Sequence, residues 1–458
     1  MELNGKHILV VGLGRTGVAV TRFLSARGAA VTISDAAPED SHGGVLPEMR
    51  QLAVSLEFGE HRPDTVTSAD AIVLSPGVPH TIPVFQAARE KGIPVIGELE
   101  LASRFIQEPM IAVTGTNGKT TTTEMLGHML AASGKRVFVG GNIGNPLIEY
   151  LERDDPVDTL VVEVSSFQLD TADTFQPRIG VLLNIAEDHM DRYPDMSAYT
   201  ASKARLFRRQ GSGDTAVLNG SDPRIEQLSK GLLSRKLIYY GAPRDFPSGR
   251  EGAAVNGRRI TLSTREWPNA EIPRHLLNLP GDYNAENAAA AALAAIAAGA
   301  TLEGITHALG VYQGLPHRTE HVATIRGIRF INDSKATNVD TVIRELHSFE
   351  TPVVLILGGR DKGADFTQLR KPVAERVKHV VAMGEARQSI LEALGHTASI
   401  STAADMTEAV NKAVRIAEAG EAVLLSPACA SFDQYDSYAD RGEDFRRHVT
   451  DIGKGIEK

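Results

Sequence analysis

Along almost the whole chain, short uninterrupted apolar runs alternate with stretches of amphipathic helical periodicity, which limits the fold more than any other feature. His7–Val11, Val31–Ser34 and Ala71–Leu74 form a first set of expected strands. Met110–Val113, Val137–Gly140, Thr159–Val164 and Ile179–Leu183 form a second. Phe330–Ile331, Val353–Leu357, Val377–Met383 and Ala422–Leu425 form a third. Runs that are apolar throughout, rather than at every second residue, mark strands buried on both faces, hence parallel sheets with helical crossovers. At 458 residues the chain is too long for one ordinary core. Breaks near Gly97 and near Gly314-Leu315-Pro316 divide it into three expected α/β domains, 1–97, 98–315 and 316–458. Between about Gly211 and Pro280 the pattern weakens; Thr215–Leu218 and Leu237–Tyr240 are expected to form a small antiparallel extension of the middle domain.

Composition excludes several function classes. The formal charge, 48 − 57 = −9, gives no electrostatic case for nucleic acid or an anionic membrane as partner. A lone cysteine, Cys429, excludes an intramolecular disulfide and any multi-cysteine metal site. The first residues lack the apolar stretch of a signal peptide, and Glu286 and Asn287 interrupt the Ala-rich run Ala285–Ala298, which reads as a buried helix. A cytoplasmic protein is expected.

Two glycine loops carry the chemistry. The first strand runs into Gly12-Leu13-Gly14-Arg15-Thr16-Gly17 and a helical pattern, Val18–Arg27, a Rossmann-like context in which backbone N–H groups at a helix N-terminus can hold a diphosphate. Asp35 ends the next strand, where an acid can meet a ribose or base. This loop specifies no more than a nucleotide or nucleotide-sugar, and a turn needed only for helix–sheet packing is its alternative. The second loop, Gly115-Thr116-Asn117-Gly118-Lys119-Thr120-Thr121, lies between the strand Met110–Val113 and the helix Thr122–Leu130. Its amides would cradle phosphates, Lys119 would reach the β/γ oxygens and Thr120 could ligate Mg²⁺. Val113 stands where a full phosphate-loop motif has its first glycine, so the match is a shortened variant.

Acids and amides follow at strand ends. Glu163 closes a buried strand, where parallel sheets commonly hold a metal beside a phosphate loop. Glu187, Asp188 and Asp191 surround His189 just past the next strand, a cluster suited to Mg²⁺ and phosphate. Asn284 and Asn287, at helical spacing, read either as a cap and a surface amide or as adenine contacts. Three polar clusters, Asn332–Asn338, Gly358–Asp365 and Ser426–Asp433, end strands of the third set and are expected to converge on one crevice fit for a small dicarboxylate. His317-Arg318 at the domain junction could reach a nucleotide phosphate. Spacing alone makes Lys203 a solvated helix residue.

Taken together, these motifs resemble those of the Mur ligases of bacterial peptidoglycan synthesis over nearly the full length. Gly115–Thr121, Glu163–Gln168, Asn184–Asp191, Asn284, Asn287 and His317-Arg318 match patterns shared across that family. Ile331–Asn338, Gly358–Phe366 and Ser426–Gln434 look specific to its D-glutamate-adding branch, and the Asp-Asn-Pro-Arg motif of the diaminopimelate- or lysine-adding relatives is missing. The resemblance implies a Rossmann-like N-terminal domain for the UDP-sugar, a central phosphate-loop ATPase-like domain and a C-terminal Rossmann-like domain for the amino acid. It implies ATP-dependent joining of D-glutamate to the L-alanine carboxylate of UDP-N-acetylmuramoyl-L-alanine, through an acyl phosphate and a tetrahedral intermediate.

The resemblance further implies roles by position. Lys119 would steady the transferring phosphate. Thr120 and Glu163 would hold one Mg²⁺ and His189 a second, and Lys203 would be a carbamate that ligates metal. Gly115–Thr121, Asn284, Asn287, Arg318 and Asp333 would hold ATP. Gly14, Arg15, Thr16, Gly17, Asp35 and Asn142 would hold the UDP-sugar. Lys335, Thr337, Lys362, Ser431, Phe432 and Tyr438 would receive D-glutamate. The expected partners are these small molecules alone, the expected state a monomer, and the third domain is expected to close over the other two. Rival readings are an NAD-dependent oxidoreductase, motivated by Gly12–Gly17 with Asp35, a phosphate-loop hydrolase, and a sister ligase, including the folate polyglutamylation enzymes.

Overall fold

A computed structural model of the chain describes residues 1–232, 236–243, 251–279, 281–361 and 363–456. Three sheets follow one another along it. The first is parallel throughout and consists of β1 (His7–Val11), β2 (Ala30–Asp35), β3 (Ser55–Phe58), β4 (Ala71–Leu74) and β5 (Val95–Gly97), in the order β3-β2-β1-β4-β5. Val10 of β1 pairs with Ile33 on one side and Val73 on the other, so its apolar run is enclosed in the sheet plane and by helices above and below.

The second sheet holds β6 (Met110–Thr114), β7 (Val137–Gly141), β8 (Thr159–Glu163), β9 (Ile179–Leu182), β10 (Thr215–Asn219), β11 (Lys236–Gly241), β12 (Gly252–Val255), β13 (Arg259–Ser263) and β14 (Pro268–Pro273). Its order is β14-β13-β12-β11-β10-β9-β6-β8-β7. The expected antiparallel pieces are corrected here: β10 and β11 continue the parallel sheet, and the antiparallel part is β12–β13–β14. Burial on both faces explains the direction. Val217 and Ile238 pack under the Ala-rich helix Asp282–Ala297, while Ala216 and Leu218 face the opposite core. Small side chains let that helix lie close to both the sheet and the helix Lys119–Ala132, and Ala288 through Ala295 are fully buried.

The third sheet contains β15 (Glu320–Ile325), β16 (Ile328–Asn332), β17 (Val353–Gly358), β18 (Val377–Met383), β19 (Ile400–Thr402) and β20 (Ala422–Leu425), in the order β15-β16-β20-β17-β18-β19. It is parallel apart from β15, which returns antiparallel on β16 at the edge. No helix among the described residues is long and apolar enough to cross a membrane.

The short helix Glu98–Ser103 ties the first sheet to the second through two buried acids. Glu98 accepts the N–H of Ile148 at 2.6 Å, and burial pushes its carboxyl up to about 7. Glu100 accepts three successive amides, those of Asp173, Thr174 and Phe175, at 2.8, 2.9 and 3.2 Å. Each satisfies backbone donors that the turns leave without partners of their own.

Candidate active site

Between β6 and the helix Lys119–Ala132 the chain makes the second glycine loop, and the helix begins at Lys119, earlier than its apolar periodicity indicates. Gly118 closes the loop in the left-handed region (φ 84°), where a Cβ would lie 2.3 Å from Asn287 Oδ1. Only glycine lets the loop and Asn287 approach so closely. The side chain of Asn184 pins the loop: its Oδ1 accepts the Asn117 N–H at 2.8 Å, and its Nδ2 donates to the Asn117 carbonyl at 3.0 Å. Lys119 Nζ arches over the loop and donates to the carbonyls of Gly115 (3.0 Å) and Thr116 (2.8 Å). Thr120 and Thr121 occupy the first helical turn, whose amides and dipole favour an anion.

Glu163, at the end of β8, is 2% exposed. Its Oε1 accepts Asn142 Nδ2 at 2.9 Å, while the buried Oε2 has no hydrogen-bond partner. An orphaned carboxylate oxygen costs about 1–3 kcal/mol or more, and a cation beside the phosphate loop would offset it. Thr120 Oγ1 and Glu163 fit Mg²⁺ of the kind held by one or two protein oxygens plus phosphates rather than by a complete protein cage.

The acids around His189 do not gather as expected. The chain passes through His189 at φ 60°, which turns Glu187 and Asp191 out to the surface and leaves Asp188 against the imidazole at 3.6 Å. Among the described residues no group of three or more His, Cys, Asp or Glu side chains forms a metal cage. The His189 ring lies edge-on to Phe167 with centroids 4.8 Å apart and lines the same cavity as Lys119 and Glu163.

Lys203 is not a solvated residue. At 1% exposure it lies beneath the loop, donates to the Gly115 carbonyl at 2.9 Å and sits 4.5 Å from the Tyr199 ring centroid. Burial first, and then the charge of Lys119, hold its ammonium well below the usual lysine range.

The third domain brings its clusters together because β16, β20 and β17 are neighbours with the same direction. Asp333 N–H donates to Leu425 O at 2.8 Å, and Gly358 N–H to Pro427 O at 2.9 Å. Asp333 accepts the Thr319 amide (3.3 Å) and the Ser426 hydroxyl (3.1 Å); burial and the charge of Glu345 push its carboxyl well up. Lys335 rests 3.9 Å over the Tyr438 ring. Asp333, Lys335 and Tyr438, with Thr337, the buried Ser431 and the 61% exposed Phe432, line one wall of a cavity of about 370 Å³. Thr116–Thr121, Tyr283, Asn284, Asn287, Arg318 and Thr319 line much of the rest. Arg318 Nη2 donates to Thr120 Oγ1 at 2.6 Å, which joins the two domains directly. Lys362 lies outside the described residues.

The first loop faces a separate cleft of about 470 Å³, lined by Gly14, Arg15 and Thr16, by Ser75 and Gly77 after β4, and by Asn142. Gly17 and Asp35 are not on its wall. A Cβ on Gly17 would stand 1.9 Å from the Gly12 carbonyl, so this glycine serves the close approach of helix to strand. Asp35 turns inward and accepts the N–H groups of Leu13 (2.6 Å) and Ala37 (2.8 Å), closing the loop it follows. Asn142 also lines the phosphate-loop cavity, so the cleft and the cavity meet beside Glu163.

Several contributors went unnoticed in the sequence. Arg441 is fully buried and donates to Ser334 Oγ and to the carbonyls of Ser334, Cys429 and Ala430, which staples two of the third-domain loops. One of three arginines in a helix 19 residues long, it gives no sign of this in the sequence. Tyr283 and Glu345 are the others; Glu345 was detectable as a charge three residues after Val342 on an otherwise apolar helix face.

Known proteins share this arrangement. The family models "Mur ligase MurD-like, N-terminal domain", "Mur ligase middle domain" and "Mur ligase, glutamate ligase domain" match residues 6–97, 113–295 and 317–429. The UDP-N-acetylmuramoylalanine--D-glutamate ligase of Desulfosudis oleivorans is 49% identical over 455 residues, 99% of this chain and 98% of that protein. The enzyme of the same name from Desulfatibacillum aliphaticivorans is 48% identical, covering 98% of this chain and 99% of its own. Among solved structures, a pseudomurein peptide ligase type C from Methanothermus fervidus (TM-score 0.63, 21% identity, 98% of this chain and 100% of that one) shares the fold. So does MurF from Acinetobacter baumannii (TM-score 0.61, 18% identity, 96% and 91%). With all three segments matched in order and near-half identity sustained end to end, the chain belongs to the Mur ligase family.

Proposed function

We propose that the chain is an ATP-dependent acid–amino-acid ligase that adds D-glutamate to the L-alanine carboxylate of UDP-N-acetylmuramoyl-L-alanine, in peptidoglycan precursor synthesis. One observation supports this reading above the rest: the first-loop cleft and the phosphate-loop cavity meet at Asn142, beside Glu163. A substrate whose diphosphate lies by Gly14–Thr16 can thus deliver its far end to the groups that handle the ATP γ-phosphate. An oxidoreductase would have no use for that junction, and a hydrolase would not need the first cleft.

The division of labour follows the expected boundaries: 1–97 for the UDP-sugar, 98–315 for ATP and 316–458 for D-glutamate. A carboxylate is a poor electrophile until one of its oxygens becomes a phosphate leaving group. Its oxygen attacks the γ-phosphorus, ADP leaves, the D-glutamate amine adds to the acyl carbon, and the C–O bond breaks to release phosphate. Lys119 and the helix N-terminus behind it neutralise the transferring phosphoryl group. Mg²⁺ bound by Thr120 and Glu163, and a second ion near His189, would screen the charge between the anionic substrates. Asn284, Asn287, Arg318 and Asp333 orient ATP, while Lys335, Thr337, Lys362, Ser431, Phe432 and Tyr438 orient D-glutamate, so that approach geometry supplies much of the rate.

Lys203 is proposed to be carbamylated. Its environment favours the neutral amine, which can add to CO₂ with loss of a proton and so place an anion where the ammonium is disfavoured beside Lys119. The proposed setting is the cytoplasm and the proposed state a monomer.

Phosphate release from ATP and Mg²⁺ tests the reading. Release should require UDP-N-acetylmuramoyl-L-alanine and D-glutamate together, fail with L-glutamate, L-lysine or diaminopimelate, and vanish in Lys119→Ala. Release without any acceptor would make the chain a hydrolase.

A further inference from the structure

A carboxylate outside the expected site joins the central and third domains beside the nucleotide cavity. Glu345 lies on the helix Val339–His347, whose Val339, Val342 and Leu346 pack into the third-domain core, and it is only 1% exposed. Its Oε2 accepts the Tyr283 hydroxyl at 2.5 Å and the Thr319 hydroxyl at 3.0 Å. Tyr283 belongs to the first turn of the helix Asp282–Ala297, one residue before Asn284. Thr319 belongs to the connection between the domains, follows Arg318 and donates its amide to Asp333. That connection carries three positive φ angles, at Gly314, His317 and Thr319 (83°, 63° and 46°), so its path depends on whatever holds it.

The same helix makes a second contact across the domains at its other end. Asn117 of the phosphate loop donates to Asp340 Oδ2 at 2.7 Å, and the Thr341 hydroxyl donates to Asn117 Oδ1 at 2.8 Å. Asp340 and Glu345 stand about 7.5 Å apart along the axis. One rigid element therefore touches the phosphate loop with its first turn and the asparagine-bearing helix with its last. Burying a carboxyl on an apolar helix face is costly unless its hydrogen bonds offset the loss of water; here one bond crosses to the central domain, the other holds the connection from it, and Oε1 has no partner among the described residues.

We propose that Glu345 is a positioning residue: through Tyr283 and Thr319 it latches the third domain onto the central one and sets where Asn284, Arg318 and Asp333 stand around ATP. It does not line the cavity and acts on the nucleotide only through these partners. The proposal rests on reading that cavity as the ATP site.

The test uses the full-length Tyr283→Phe, Glu345→Ala and Glu345→Gln proteins in two measurements. In steady-state kinetics, Tyr283→Phe and Glu345→Ala should raise KM for ATP about tenfold while kcat stays within about twofold. Glu345→Gln, which keeps an acceptor oxygen, should restore most of the wild-type KM. The double variant Tyr283→Phe/Glu345→Ala should be no worse than either single one. In small-angle scattering of the ligand-free proteins, Tyr283→Phe and Glu345→Ala should be more expanded than wild type; this readout needs no turnover and so stands apart from the ligase reading. Should Glu345→Ala fail to fold, Tyr283→Phe, which keeps the ring, carries both measurements. Unchanged KM with unchanged scattering, additive effects in the double variant, or a lowered melting temperature as the sole change would each overturn the latch.

Discussion

Lys203 and Glu163 both sit in environments that are uncomfortable without a ligand, and their discomfort is chemically complementary. A lysine amine held toward its neutral form lies under the loop, and a carboxylate oxygen without a partner lies beside it. If Lys203 works as a carbamate, enzyme prepared in CO₂-free buffer should lose activity and regain it on adding bicarbonate, while Lys203→Gln should be inactive in either buffer. Indifference of the wild-type rate to bicarbonate would remove the carbamate from the account. For Glu163, substitution by Gln keeps the Asn142 contact but not the charge. Activity is expected to fall about a hundredfold or more, with a steeper dependence on Mg²⁺ concentration.

At the scale of elements, two tight junctions set the geometry. A methyl group on Gly17 would meet the Gly12 carbonyl at 1.9 Å, so Gly17→Ala should cost about 1–3 kcal/mol and weaken UDP binding, both measurable by thermal melts with and without UDP. The linker helix carries the other junction. Glu98 titrates near 7 in the folded chain against about 4.5 in the unfolded one. Between those values the folded state holds the extra proton, so stability falls as pH rises through this window and stays lower above it. The difference amounts to about 3 kcal/mol. Glu98→Gln should therefore stabilise the protein at pH 8 and change little at pH 4.5, as melting curves at the two pH values would show.

These elements also show what the sequence reveals and what it hides. Strands buried on both faces, such as His7–Val11 and Val353–Gly358, stand out because their residues, His7 apart, form an unbroken run without polar side chains. The edge strands Ser55–Phe58, Glu320–Ile325 and Ile400–Thr402 escape notice because none of their residues is fully buried. The phosphate loop is legible since backbone geometry demands its glycines. Glu98, Arg441 and the burial of Lys203 are not, because each is a charged residue whose partners lie far along the chain.

At the scale of the molecule, the third domain sits closed on the phosphate loop: Arg318 bonds Thr120, and Asn338 reaches Asn117 at 3.1 Å and Asp188 at 3.2 Å. Closure of this kind brings an amine held by one domain to a carboxyl group held by two others, which fits a ligase that must exclude water from an activated acyl group. The central claim, that the substrate carboxylate itself becomes an acyl phosphate, can be tested by oxygen tracing. UDP-N-acetylmuramoyl-L-alanine labelled with ¹⁸O in its carboxylate should transfer one label to the inorganic phosphate in every turnover. Phosphate that instead takes its new oxygen from water would contradict the account.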